Sequence, residues 1–249
     1  MGTEKRSIKL KIPLKKQPDD VTCGPTCLQS IYGFYADGIS LESVISEVSM
    51  LEEGGTYASK LGAHALKRGY AAEIWSFNVN IFDPSWFDLN SDQLIEKLKL
   101  QKKAKKNKRL RYASDGYLDF LESGGICRFE DLTANLLVSL LQDGRPLIAG
   151  LSSTYLYKTV REDPITTAND DIRGRPAGHF VLITGIDMEA RTAQITDPYF
   201  PNAISDIQTY TVPIPRLICA ILLGVMTYDA NLLVIKQKES PLNEESHRR

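Results

Sequence analysis

Apolar positions in the first third of the chain recur at helical spacing. Cys27, Leu28, Ile31, Phe34 and Tyr35 form one stripe. Gly24-Pro25 precede them and suit a first helical turn, where the missing proline N–H costs nothing. The spacing predicts a helix over about 23–35. Leu41, Val44, Ile45 and Val48 predict a second over 41–50, with Ser40 as its N-cap. Gly54-Gly55 breaks it. A third helix is expected over 57–68, capped by Thr56 and stopped by Gly69. Upstream, residues 8–14 alternate apolar and basic like a half-exposed strand, with Pro13 marking an edge or strand end. Residues 70–79 read as a further strand.

The pattern turns polar after Asn90. Asn90 or Ser91 opens a long helical repeat (Leu94, Ile95, Leu98) that runs into a basic stretch, where nine of the fifteen residues 97–111 are Lys or Arg. This stretch reads as a protruding, solvated helix; docking of an acidic partner is the sharper alternative. A short helix over 116–122 ends at Gly124-Gly125, and an amphipathic helix follows over 131–141. Residues 147–152 read as a buried strand, and 159–176 as a polar loop. Strands over 178–186 and 192–196 form a hairpin turning near Met188. A buried helix over 214–225 and a last strand over 232–236 complete the pattern. Helices lead and antiparallel strands follow, which is α+β organisation with a helical lobe facing a sheet. One domain is expected over 1–238, with a Lys-rich helical insertion at about 88–125 and a disordered polar tail over 239–249.

Composition changes this picture little. Hydrophobic and charged fractions of 43% and 24% are ordinary for a globular protein. A formal net charge of −1 supplies no field for nucleic acid or membrane, so neither is expected as a partner. The longest apolar run, 217–226, falls well short of the roughly 20 residues that span a bilayer. The first residues carry no run resembling a signal peptide, so a cytoplasmic protein with reduced thiols is expected. Cys23 and Cys27 lie on successive turns of one helix. No His/Cys cluster completes a zinc set, so no metal or cofactor is expected.

Cys23 is the candidate for chemistry. It stands at a predicted helix start, where the helix dipole favours a thiolate, and a neighbouring imidazolium would add to the effect. The chain has three histidines: His64, His179 and His247. His247 lies in the tail. His64 falls inside the third helix beside Leu61 and Ala65 and reads as an ordinary surface or core histidine. His179 follows Gly178 at the mouth of a strand. Centring the hairpin near Met188 pairs positions that sum to about 376, so His179 faces Asp197, and a slip of one or two leaves them diagonal neighbours. Asp197-Pro198 ends its strand, and a carboxylate there would fix the imidazole tautomer. Gln17, upstream of Cys23, carries an amide N–H that can join the Cys23 backbone N–H in stabilising an oxyanion; its plain reading is a surface loop residue.

Gln17…Cys23-Gly24-Pro25, the strand from Gly178-His179-Phe180 to Thr184-Gly185-Ile186-Asp187, and Thr196-Asp197-Pro198 together resemble the double-glycine (bacteriocin-processing) leader peptidases and their stand-alone relatives. The likeness runs over about residues 8–200, with motifs at about thirty positions. It implies a papain-like α+β fold with Cys23 as nucleophile, His179 as base, Asp197 as orienting carboxylate and Gln17 as oxyanion donor. Thr22 departs from the aspartate that many members carry there. A peptide or protein substrate follows from the resemblance. Three functions fit: a thiol peptidase or amidase, an acyltransferase that passes the same acyl group to an amine, as phytochelatin-synthase-like enzymes do, and a binding module without turnover.

Overall fold

The computed structural model describes residues 7–51, 54–163 and 166–238. The expected tail over 239–249, with His247, lies outside the described residues. Among the described residues eight strands form one sheet: β1 (Ser7–Lys9), β2 (Ala71–Ser76), β3 (Ile126–Arg128), β4 (Leu147–Ser152), β5 (Gly178–Asp187), β6 (Thr192–Thr196), β7 (Thr209–Pro213) and β8 (Asn231–Lys236). Their spatial order is β3-β2-β8-β4-β5-β6-β7, with β1 beside the far end of β5. Every ladder is antiparallel except β2–β3.

The described residues also form eight α-helices: α1 (Cys23–Phe34), α2 (Leu41–Glu47), α3 (Ala58–Lys67), α4 (Ser91–Ala104), α5 (Lys108–Glu122), α6 (Ala134–Gln142), α7 (Ser153–Tyr157) and α8 (Ile214–Leu223). One core joins α1, α3 and α5 to the face of the sheet carrying Ile148, Phe180, Leu182 and Leu233. A second core joins α6 and α8 to the opposite face, with Ala149, Val181, Ile183 and Leu232. This alternation explains why β4, β5 and β8 are apolar at nearly every position: helices bury both faces. The sequence pattern places helices first and strands later. The structure follows that order, with β2 and β3 joining the sheet at one edge and α6 and α8 packed on the face opposite α1.

Several boundaries move for physical reasons. The first strand is three residues long, and Leu10 adds one further backbone bond, from its N–H to the Thr184 carbonyl at 2.7 Å. Thr56 does not cap α3. Tyr57 holds the N-cap position without a side-chain bond, and the Thr56 hydroxyl donates to the Ser49 carbonyl at 2.8 Å. The basic stretch is not one helix. α4 opens at Asn90 with a reciprocal capping box to Gln93 and ends at Ala104, and Asn107 caps a new helix, α5, by accepting from Leu110 N–H at 3.0 Å. α5 therefore begins eight residues before the expected short helix at 116.

Candidate active site

Cys23 is the first residue of α1, and Thr22 at the N-cap makes no side-chain bond to the helix. The first-turn N–H groups thus have no side-chain cap, and the positive end of the helix lies at the thiol. The start of the helix is packed tightly. A side chain at Gly24 would meet Thr56 Cγ2 at 2.8 Å and Phe180 at 3.2 Å, so α1 seats directly on the α3 entry and on β5. Cys23 is 8% exposed, at the floor of a cleft of about 260 Å³ that also exposes Gly178 and His179.

His179 is the second residue of β5, opposite Leu151 of β4. Its Nε2 donates to Asp197 Oδ1 at 2.9 Å. Cys23 lines the same cleft and acts on the ring electrostatically. Burial works against a charged ring here. The negative charge of Asp197 and its hydrogen bond, with a smaller contribution from Cys23, outweigh it and raise the His179 pKa from 6.5 to about 10.

Asp197 follows β6 directly and is fully buried. Its carboxylate accepts four hydrogen bonds: from His179 Nε2 at 2.9 Å, Tyr199 N–H at 3.0 Å, Tyr157 Oη at 2.7 Å and Tyr210 Oη at 2.6 Å. Burial alone would favour the neutral acid, but the His179 charge and these donors hold the pKa below the usual carboxylate value. Both tyrosine pKa values are pushed far up, first by burial and then by the Asp197 charge, so the phenols remain donors. The His179 ring lies between Tyr157 and Tyr199, with ring centroids 6.1 and 6.3 Å away.

The register is not the one the hairpin turn predicts. Leu182 pairs with Thr196 and Ile183 with Ile195, and a bulge before Gly185 shifts the ladder by one. His179 and Asp197 are therefore offset along the strands, not opposed, and the side chains reach each other diagonally.

Gln17 is buried and tied to the carboxylate strand through its backbone, with its N–H donating to the Pro198 carbonyl at 3.0 Å. Its side-chain Nε2 donates to the Asp19 carbonyl at 2.7 Å, while Oε1 is buried without a partner. It is not a surface residue.

The remaining sulfurs and histidine have plain roles. Cys27 is fully buried, its thiol donates to the Phe180 carbonyl at 3.4 Å, and burial pushes its pKa well up. His64 bridges Tyr32 Oη at 2.7 Å and Glu47 at 3.1 Å inside the helical layer, away from Cys23. Among the described residues no group of His, Cys, Asp and Glu could hold a metal ion. Tyr157, Tyr210, Asp229 and Arg109, all at or beside the site, escape sequence reasoning. Only Tyr210 has a readable signal, since strand alternation in β7 turns it inward with Val212.

A thiol at a helix start, sharing a cleft with an imidazole that is bonded to a buried carboxylate, on a helix packed against an antiparallel sheet, is the arrangement of the cysteine peptidases. The chain belongs to the Peptidase_C39-like family, a family of cysteine peptidases, whose profile matches residues 9–216. No curated protein matches it. Among solved structures it is similar to a double-glycine motif protease from an AMS/PCAT transporter in complex with the leader peptide, at 14% identity and TM-score 0.43 over 92% of this chain and 94% of that one. It is also similar to the peptidase domain of Streptococcus ComA, a bi-functional ABC transporter, at 13% identity and TM-score 0.42 over 90% and 98%. Xylellain, a cysteine protease from Xylella fastidiosa, aligns at 15% identity and TM-score 0.44 over 95% and 88%. No described helix is long and apolar enough to cross a membrane.

Proposed function

We propose that the protein cleaves a peptide or isopeptide bond through a thioester on Cys23. In this reading His179 takes the Cys23 proton, and the sulfur attacks the scissile carbonyl carbon. The C–N bond breaks as His179 returns the proton to the leaving amine. Water, deprotonated by His179, then releases the acyl group as a carboxylic acid. Asp197 keeps the ring oriented and stabilises its charge. The Cys23 backbone N–H and the Gln17 amide stabilise the oxyanion. One amide hydrogen of Gln17 is spent on the Asp19 carbonyl, so this role falls to the other.

The observation that carries the reading is the buried His179–Asp197 bond with its imidazole on the same cleft as the Cys23 thiol. Family membership supports a peptide substrate. Selective alkylation tests the site. Cys27 and Cys127 have pKa values raised by burial, whereas Cys219 is exposed, so the experiment uses a Cys219→Ser background. At pH 7 iodoacetamide is expected to label Cys23 about tenfold or more faster than Cys27 or Cys127, and His179→Ala to slow that labelling. Equal labelling of the three sulfurs removes Cys23 as nucleophile, and an unchanged rate in His179→Ala removes His179.

A further inference from the structure

The basic run of the sequence takes no part in the chemistry above, and the structure folds it into one corner. α4 ends at Ala104 and α5 starts at Lys108, so the run bends at the turn around Asn107. None of the residues 97–111 is acidic, while the whole chain has a net charge of −1, so positive charge gathers here against an acidic remainder. Two of the nine cations are answered internally, Lys99 by Glu122 and Lys102 by Asp115. Lys97, Lys103, Lys105, Lys106, Lys108 and Arg111 are exposed and make no ion pair among the described residues. Asp83 feels the charges of Lys105 and Lys97, yet its carboxylate is engaged with Ser85, accepting from the N–H at 2.9 Å and from the hydroxyl at 2.6 Å.

These six cations are not what holds the two helices. Leu94 and Leu98 bury α4, and Leu110, Ala113 and Tyr117 bury α5. Like charges crowded within a turn repel one another. Lys108 and Arg109 also occupy the first turn of α5, where the helix dipole disfavours positive charge and no acidic residue stands. The corner is fastened to the rim of the cleft. Asn107, between Lys106 and Lys108, accepts from Tyr228 Oη at 3.4 Å, and Tyr228 precedes Asp229 of the cleft wall. Tyr112 of α5 sets its ring 5.9 Å from that of Tyr57, which lines the cleft, as Arg109 does. The cationic corner thus borders the cleft that holds Cys23.

We propose that the corner between α4 and α5 is a docking surface for an acidic segment of the peptide substrate, a segment outside the residues that flank the cut. The inference rests on the peptidase reading and adds a substrate class to it. Glutamate or aspartate side chains supply the partners that the six cations lack. Opposite charge also speeds encounter and holds the peptide beside the cleft. Three features favour a peptide over a nucleic acid. The corner is mainly lysine, which binds as a point charge without the planar fork that suits phosphate. The run over 97–111 holds no aromatic side chain on which a base could stack. The cleft that it borders is the one assigned to a peptide.

The test gives the full chain a library of synthetic peptides of mixed sequence and follows each cut by mass spectrometry. Every peptide is made with a run of glutamates at its N- or C-terminal end and again with glutamines in the same place. At about 0.05 M salt and low peptide concentration, the glutamate versions are expected to be cut about tenfold faster, a gain that a few exposed ion pairs supply. The gain should fall to within about twofold at about 0.5 M salt, where screening reaches nearly to contact. It should fall as far when Lys103→Gln, Lys105→Gln, Lys106→Gln and Lys108→Gln are combined, a change that removes charge, keeps helix propensity and leaves cutting of the glutamine versions unaltered. The salt series on the wild type decides the matter even where that variant fails to fold. A gain that is absent, or that survives salt or the substitutions, overturns the docking surface and leaves the peptidase reading standing. A single-stranded DNA of mixed sequence that binds the wild type more tightly than the glutamate peptides do places a nucleic acid there and overturns it too. No cleavage of any peptide, with Cys23 still alkylated, overturns the peptidase reading and this inference with it.

Discussion

Asp197 is an anion in a fully buried position, and it is one because four donors converge on it. In Asp197→Asn the charge that keeps the proton on His179 is gone while burial remains. The ring is then expected to titrate at or below its ordinary value near 6.5, down from about 10, as read from imidazole proton shifts against pH. The wild-type sign is fixed. A pKa raised on folding gives stability that is fully present below about 6.5 and is lost as pH climbs through about 10. Tyr210→Phe removes one bond to the carboxylate and is expected to cost about 1–3 kcal/mol in urea unfolding, the range for a bond to a charged group. The same variant should also raise the Asp197 carboxyl pKa, which the Tyr210 hydroxyl helps to lower, a readout that a purely structural role would not move. Cys23, His179 and Asp197 are legible in the sequence because each sits where an element starts or stops, beside a glycine or proline. Tyr157 is not, and Tyr210 only as an inward strand position, since a short helix after β4 and a strand after a long loop bring the two to Asp197 by tertiary contact.

At the scale of elements, the seat of α1 decides where the sulfur points. A methyl group at Gly24 would push against Thr56 Cγ2 at 2.8 Å and against Phe180, the residue after His179. Gly24→Ala is expected to destabilise by about 1–3 kcal/mol through overpacking and to slow Cys23 alkylation, both measurable on one sample. Helices with side-chain caps are read well from sequence, as Ser40 before α2 and Asn90 before α4 illustrate. The break between α4 and α5 is not, because the lysine run has good helix propensity throughout. What ends α4 is packing: Leu98 on α4 and Leu110 on α5 are both buried, and the chain must reverse between them. The reversal sets Lys99 against Glu122 and Lys102 against Asp115, so part of the basic charge is answered within the molecule. It also carries Arg109 to the cleft, a placement that the charge run alone does not reveal.

At the scale of the whole molecule, β8 is the piece that unites the sheet. It pairs with β2 on one side and β4 on the other, and no other described strand links the β2–β3 part to the rest. Its side chains feed both cores: Leu233 enters one and Leu232 the other, each fully buried. Leu233→Ala is expected to cost about 2–5 kcal/mol in urea unfolding. Leu100→Ala, on the exposed face of α4, should stay within about 0.5 kcal/mol of wild type. The sequence shows β8 as a short apolar strand near the end of the chain. It does not show that this strand lies in the middle of the sheet, since long-range pairing leaves no local mark. The placement has a consequence in time. Synthesis runs from the N-terminus, and early segments meet before late ones exist. Cys23, His179 and Asp197 are all made before residue 231, yet the halves of the sheet stay unjoined until β8 arrives. A nascent chain therefore holds Cys23, His179 and Asp197 before the two parts of its sheet are joined, and the last described strand closes the sheet around groups already in place.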